Sequence, residues 1–196
     1  MTNYEKAVSL APGNREYNVA LRDFKTLNKA KLEVKKPQVN EQALGYDELI
    51  KKGDEAYKAQ KYNDAIDYYT KAVVFTPQDK VTMLKIANLY KLVGNNTKAL
   101  SFYNKILTLD AKNADAYFNK GLILASQKNY DECIKCFEKV IEYSPDYPYA
   151  YYSLGLAYEQ KEDTDKALEY YYLYSGIEKD EKMLNVVNQK IKQLEK

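Results

Sequence analysis

The chain has 196 residues, of which 45% are apolar and 30% are charged, a composition typical of ordered proteins rather than disordered ones. The formal net charge is +2, and residues 46–181 carry 18 Lys+Arg against 22 Asp+Glu with no Arg, which disfavours binding to a phosphate backbone. No apolar run approaches the roughly 20 residues that a membrane-spanning helix needs, and the first residues lack the basic start of a signal peptide. We therefore expect a cytoplasmic protein that binds neither nucleic acid nor membrane.

The first 45 residues predict helical structure followed by a connection. Residues 16–32 place Tyr17, Ala20 and Phe24 on one side at helical spacing, which predicts an amphipathic helix. The next segment is polar and rich in Lys, and it contains Pro37, which disfavours a continuing helix. Residues 33–44 are therefore interpreted as a linker.

From residue 46 onwards the chain repeats itself every 34 residues. Gly53, Gly121 and Gly155 mark the same point in three similar fragments and are spaced by 68 and 34, while Ala87 occupies this slot in a fourth fragment. The fragments define four consecutive units, which are residues 46–79, 80–113, 114–147 and 148–181. Each unit contains two amphipathic helical halves that cannot bury their apolar faces alone, so stacking of the units is predicted.

Each unit follows the same pattern of residue types. Position 4 is large and apolar, positions 8 and 20 are small, and position 24 is aromatic, being Tyr69, Tyr103, Phe137 and Tyr171 in the four units. Proline stands at position 32 in two of the units, where it ends the second helix. This pattern resembles the tetratricopeptide repeat, or TPR. The resemblance covers 136 of the 196 residues.

The resemblance implies an all-α fold, namely a right-handed superhelical solenoid of antiparallel helix pairs. Within it, residues 1–45 are expected to form an N-terminal partial repeat, a helix and a linker, because Tyr4, Ala7 and Pro12 match the second helix of a further unit. Residues 182–196 are expected to form a C-terminal capping helix. Since no first helix precedes Tyr4, we expect either a fragment of a longer repeat protein or a possible homo-oligomer formed through the N-terminal edge.

Catalysis is not expected. The chain has no His, which removes the commonest general base and metal ligand, and it shows neither a phosphate-binding loop nor a nucleophile motif. Cys133 and Cys136 form a C-x-x-C pair, but zinc needs about four ligands and no further Cys or His exists to supply them. Cys133 occupies the small position 20, so we interpret both thiols as core residues. Neither a cofactor nor a metal is predicted.

The resemblance also implies where a partner would bind, because in this family the first helices of successive units line a concave groove. Helical spacing places positions 2, 5, 6, 9, 12 and 13 on that exposed stripe. Apolar side chains there, with a polar border, are typical of an interaction surface. The predicted partner-binding residues are Lys51, Tyr57, Leu84, Lys85, Asn88, Phe118, Asn119, Leu122, Tyr149, Tyr152, Ser153 and Leu156. The alternative is that neighbouring elements of the array cover the apolar members of this set.

These observations favour a protein–protein interaction adaptor or scaffold that binds a peptide or partner protein in the groove. Self-assembly through open solenoid ends is an alternative, and RNA binding is a third class that the charge disfavours.

Chaperone-binding members of the family bind a C-terminal carboxylate with Lys, Arg and Asn. In the frame that starts at the second unit, Asn88 and Asn119 match, but Leu84, Tyr149 and Ser153 replace the basic residues. We therefore expect no strong carboxylate clamp.

Overall fold

The structure, a computed structural model, describes residues 44–196, and this part of the chain consists of nine α-helices without strands. The helices are α1 (Tyr46–Lys58), α2 (Tyr62–Phe75), α3 (Lys80–Leu92), α4 (Asn96–Leu109), α5 (Ala114–Ser126), α6 (Tyr130–Tyr143), α7 (Pro148–Gln160), α8 (Thr164–Ile177) and α9 (Glu181–Leu194). The predicted partial repeat, helix and linker in the first 45 residues lie outside the described residues, apart from the last two. None of the nine helices is long and apolar enough to cross a membrane.

Short polar side chains fix where many of these helices begin. The carboxylate of Asp79 accepts hydrogen bonds from the backbone N–H groups of Val81 and Thr82, and Asp180 does the same at the start of α9. Such a cap satisfies backbone donors that the first helical turn leaves unpaired, and is worth about 1 kcal/mol. Similar caps come from Asn95, Asn113 and Asp163. The capping residues in the turns thus determine where these helices begin.

Helices pack in chain order, which confirms the predicted helix-pair solenoid. Each of α1, α3, α5 and α7 forms a close pair with the even-numbered helix that follows it, and each pair packs against the next. The helices α1–α8 fall as one pair inside each 34-residue unit, and α9 packs against α8 beyond the fourth unit. Buried apolar residues form three clusters, each shared by more than one unit. No single pair encloses its own core.

The turn within each pair has the same backbone conformation in all four units. Position 15 of every unit has a positive φ, with Gly94 at +79° in the second unit. The other three units place Gln60, Lys128 and Glu162 there, at φ values of 59°, 61° and 60°. Residues other than glycine, and to a lesser degree Asn and Asp, adopt this left-handed region only with strain. The turn geometry is therefore imposed by the packing of the helices on either side.

The C-x-x-C pair lies in the core. Cys133 is fully buried, Cys136 is 6% exposed, and both are free thiols. Burial raises the pKa of the Cys133 thiol to about 11, and it also raises the pKa of Cys136. A protonated, buried thiol is a poor nucleophile and a poor metal ligand. The two cysteines therefore serve as packing groups in α6.

Candidate partner-binding face

The odd-numbered helices lie side by side and are joined by contacts between successive members. These contacts are Lys85 Nζ to Asp54 Oδ1 (2.7 Å), Lys91 Nζ to Asn119 Oδ1 (2.5 Å), the Phe118 ring to the Tyr147 ring (5.0 Å between centroids) and Lys190 Nζ to Glu159 Oε2 (2.8 Å). They link α1 to α3, α3 to α5, α5 to the N-cap of α7, and α7 to α9. We call this surface the odd-helix face. It contains the first helices of successive units, on which the sequence analysis places the partner-binding residues.

A tyrosine from the even-numbered helix reaches this face in three of the four units. Its hydroxyl donates to a polar side chain on the first helix of the same unit. The pairs are Tyr69 to Asp54 (2.5 Å), Tyr103 to Asn88 (2.6 Å) and Tyr171 to Glu159 (2.6 Å). In the third unit position 24 is Phe137, which has no hydroxyl, and the facing Leu122 is apolar. The odd-helix face is therefore polar towards both ends and apolar near the third unit.

Asp54, Tyr69 and Lys85 form one charged cluster on this face. Burial alone would raise the pKa of the Asp54 carboxyl, but the hydrogen bonds from Lys85 and Tyr69 outweigh it and hold this pKa below its usual value. The ammonium group of Lys85 also lies 5.1 Å from the centre of the Tyr69 ring, within range of a cation–π contact. Because burial and Asp54 both raise the pKa of Tyr69, its hydroxyl stays protonated and acts as a donor.

Glu159, Tyr171 and Lys190 repeat this arrangement at the other end of the array. Burial would raise the pKa of Glu159, and hydrogen bonds from Lys190 and Tyr171 reverse that effect and lower it. Lys190 belongs to α9 and lies 5.8 Å from the centre of the Tyr171 ring. The last described helix is thus tied to the fourth unit by an ion pair as well as by its buried Val187 and Ile191.

A cavity of about 460 Å³ opens on the odd-helix face between α1 and α3. Leu89 and Tyr69 are its buried residues, and Tyr57 and Leu92 are its exposed apolar residues. The polar lining consists of Asp54, Lys85, Asn88 and Lys91. A concave site that is mainly apolar and carries a few oriented polar groups is the usual form of a binding site.

The cavity brings together part of the predicted site. Tyr57, Lys85 and Asn88 line it, whereas Lys51 is exposed elsewhere on α1, beside Asp47 and other charged residues. The cavity also uses Lys91, which the predicted site does not include. One signal in the sequence could have indicated the polar members: each unit with a tyrosine at position 24 has a hydrogen-bond acceptor at position 9 or 12.

Two aromatic members of the predicted site, Phe118 and Tyr152, pack against rings of the second helix of their own unit. The Phe118 ring lies 5.7 Å from the Phe137 ring, and the Tyr152 ring lies 5.8 Å from Tyr171 and 5.3 Å from Tyr174. Both side chains are only partly accessible. Leu84, Leu122 and Leu156 are likewise partly buried against the core clusters. These residues form the floor of the odd-helix face, and Tyr149, which is 51% exposed, projects from it.

Two polar members of the predicted site are engaged within the array. Asn119 accepts from Lys91 through Oδ1 and donates through Nδ2 to the backbone carbonyl of Asp115 at 2.9 Å. Ser153 is 9% exposed, and its Oγ donates to the backbone carbonyl of Tyr149 at 2.7 Å. Asn88 differs, because it is exposed and only its Oδ1 is used, by Tyr103. Within the described residues, Asn88 is thus the predicted amide whose Nδ2 donates no hydrogen bond.

Comparison with known families agrees with this architecture. A model described as "TPR repeat" matches residues 121–162, and two models described as "Tetratricopeptide repeat" match residues 102–135 and residues 82–113 and 148–180. Together these matches run without a gap from residue 82 to residue 180. The chain belongs to the tetratricopeptide-repeat family, whose arrays are generally scaffolds for protein–protein interaction rather than catalysts.

Several individual proteins are similar to the chain over part of their own length. Hsp70-Hsp90 organizing protein 2 of Arabidopsis thaliana is 29% identical over 125 residues, which are 64% of this chain and 22% of that protein. The crystal structure of MamA protein superposes with a TM-score of 0.69 at 26% identity, covering 76% of this chain and 80% of MamA. A tetratricopeptide repeat protein from Parabacteroides merdae has the same fold, with a TM-score of 0.66 at 20% identity over 97% of this chain and 72% of that one.

Proposed function

We propose that this protein is an adaptor that binds a segment of a partner protein along the odd-helix face. The observation that carries the proposal is the cavity between α1 and α3, where exposed Tyr57 and Leu92 stand beside the oriented amide of Asn88. Exposed apolar side chains next to fixed polar groups are typical of a surface that a partner covers. No catalytic role is proposed.

The comparisons support a partner that is itself a protein. The Arabidopsis relative is named for organising two other proteins, and it aligns with this chain over 125 residues. This chain spans about a fifth of that relative, so the particular partners of the relative are not transferred to it. A cytoplasmic location remains a prediction, as does a homo-oligomer through the N-terminal edge.

Site-specific photo-crosslinking tests this proposal, and three tyrosines offer matched positions. Tyr57 and Tyr149 lie on the odd-helix face and are each 51% exposed, whereas Tyr172 lies on α8 and is 52% exposed. Each is replaced in turn by a photoreactive phenylalanine analogue, and the protein is irradiated in lysate of its source cells. We expect the same partner to be cross-linked from Tyr57 and Tyr149 but not from Tyr172.

Two outcomes would contradict the proposal. Equal cross-linking from all three positions would indicate non-specific association, and cross-linking from Tyr172 alone would place the binding surface on the even-numbered helices. A cross-linked product at twice the mass of the chain would instead favour self-assembly.

A further inference from the structure

We propose that the cavity between α1 and α3 receives a large apolar side chain from an internal segment of the partner, and that an acidic side chain close to it in the segment pairs with Lys91. This inference rests on the proposed function and specifies the chemistry of the partner. It is carried by three separate features of the cavity, namely its apolar walls, its net charge and the orientation of one amide.

The apolar walls are unusually exposed for residues that flank a cavity. Leu92 is 57% exposed and Tyr57 is 51% exposed, while Leu89 between them is 3% exposed. The cavity, of about 460 Å³, is large enough to admit a side chain from outside. Insertion of an apolar group would remove both exposed walls from water at once, which is the arrangement that anchors a partner at the centre of an interface.

The charges around the cavity do not cancel. Asp54 and Lys85 neutralise each other through their 2.7 Å ion pair. Lys91 is held by the neutral amide of Asn119, and within residues 44–196 no carboxylate lies within ion-pairing distance of it. Its ammonium group is partly buried, and this burial lowers the pKa of Lys91. A carboxylate from the partner would supply the missing counter-charge at a site already partly shielded from water.

The amide of Asn88 adds a third contact. Its Oδ1 accepts the hydroxyl hydrogen of Tyr103, so its Nδ2 must offer its two N–H groups to whatever lies in front of it. Those N–H groups suit a main-chain carbonyl of an extended segment that passes over the cavity. This contact holds the main chain of the segment and does not depend on the partner's side chains. The cavity and Lys91 determine which side chains the segment carries.

The same features favour an internal segment over a free carboxyl terminus. A terminal carboxylate needs several converging donors, but Lys85 is occupied by Asp54 and both polar groups of Asn119 are engaged. The carboxylate of Asp54 also lines the cavity and would repel a second negative charge placed inside it. An acidic side chain at the Lys91 edge avoids that repulsion.

Two random-peptide libraries test the inference. In one library the peptides are displayed as internal segments, and in the other they carry free carboxyl termini. We expect enrichment from the internal library, with a large apolar residue within about three positions of Asp or Glu. Affinities of a selected peptide and of its Glu→Gln or Asp→Asn version are then measured by fluorescence anisotropy.

Matched variants assign the contacts. Lys91→Gln is expected to lower the affinity for the acidic peptide about tenfold, the usual effect of losing a hydrogen bond to a charged group. The acidic peptide and its amide version should then bind with equal affinity. The control Lys112→Gln makes the same charge change at an exposed turn and should bind as the wild type does. Tyr57→Ala is expected to weaken both peptide versions equally, since it removes only apolar contact. Thermal unfolding of each variant checks that the fold is retained.

Four results would overturn the inference. They are a consensus without the apolar and acidic residues, an acidic preference that survives Lys91→Gln, enrichment from the free-terminus library alone, and failure to enrich any peptide. None of these results decides the proposed function, because the photo-crosslinking experiment tests partner binding along the whole face without reference to the peptide sequence.

Discussion

The ring of Phe137 lies directly against the backbone of Gly121, so close that a Cβ atom at residue 121 would stand 2.6 Å from Cε1 of that ring. Gly53 meets Tyr69 and Gly155 meets Tyr171 in the same way. In these three units the two helices of the pair therefore approach each other at a point where glycine at position 8 makes room for the aromatic residue at position 24. This contact explains why the two positions mark the repeat in the sequence.

Substitution at this contact should be costly. Gly121→Ala is expected to lower the free energy of unfolding by about 1–3 kcal/mol, the usual range for overpacking a well-filled core. Gly176→Ala in α8 is the control, because its Cβ would meet nothing within 4 Å. The control should be neutral or slightly stabilising, since alanine is the better helix former. Urea unfolding measures both, and an equal effect of the two substitutions would contradict the packing account.

At the turn that contains position 15, substitutions in the second and third units should change stability in opposite directions. Gly94→Ala should destabilise the array by about 1 kcal/mol, because alanine resists the left-handed backbone conformation and no neighbour adds a clash. Lys128→Gly should be neutral or stabilising by up to about 1 kcal/mol, since it relieves the same strain. Lys112→Gly, outside the positive-φ set, serves as control and should not stabilise. Destabilisation by Lys128→Gly comparable to that of Gly94→Ala would argue against strain at this turn.

Stability should fall in acid through the two carboxylates on the odd-helix face. The pKa values of Asp54 and Glu159 are lowered in the folded chain, so the unfolded chain binds more protons as the pH falls. Their contribution to stability is complete above the unfolded pKa values, and it is lost as the pH falls through those values and then through the lower folded ones. Urea unfolding across this range should show a steeper loss for the wild type than for Asp54→Asn/Glu159→Gln.

The double variant should itself be less stable than the wild type at pH 7, because both ion pairs are gone. Parallel pH profiles for the two proteins would show that these carboxylates are not linked to folding. Asp67→Asn provides a control, since Asp67 is an exposed carboxylate on α2 that forms no ion pair within residues 44–196.

Acidic peptides with a free carboxyl terminus should bind weakly, outside the micromolar range. The positions that would hold the carboxylate contain Leu84, Tyr149 and Ser153 in place of basic residues, and both polar atoms of the Asn119 amide already make hydrogen bonds within the array. Isothermal titration with an acidic peptide and its C-terminal amide is the measurement. Micromolar binding that disappears on amidation would contradict this prediction.

The 34-residue spacing was sufficient to predict the helix pairs, because each unit repeats the same small and aromatic positions. The binding face was harder to predict. Helical spacing alone placed Phe118 and Tyr152 on the open stripe. The ring of Tyr147, at the N-cap of α7, covers Phe118 in part, and the ring of Tyr174, on α8, covers Tyr152 in part. The link from Lys91 to Asn119 depends on the distance between two helices in different units. A pattern within one helix carries no information about that distance.

The order in which the helices pack has a mechanical consequence. Contacts join each helix mainly to its neighbours along the chain, and the buried clusters overlap from one unit to the next. Under a force applied to its two ends, the array would therefore unfold one helix pair at a time, and not in a single cooperative step. A segment bound across α1 and α3 would raise the resistance of the first two helix pairs to unfolding and leave that of the other pairs unchanged.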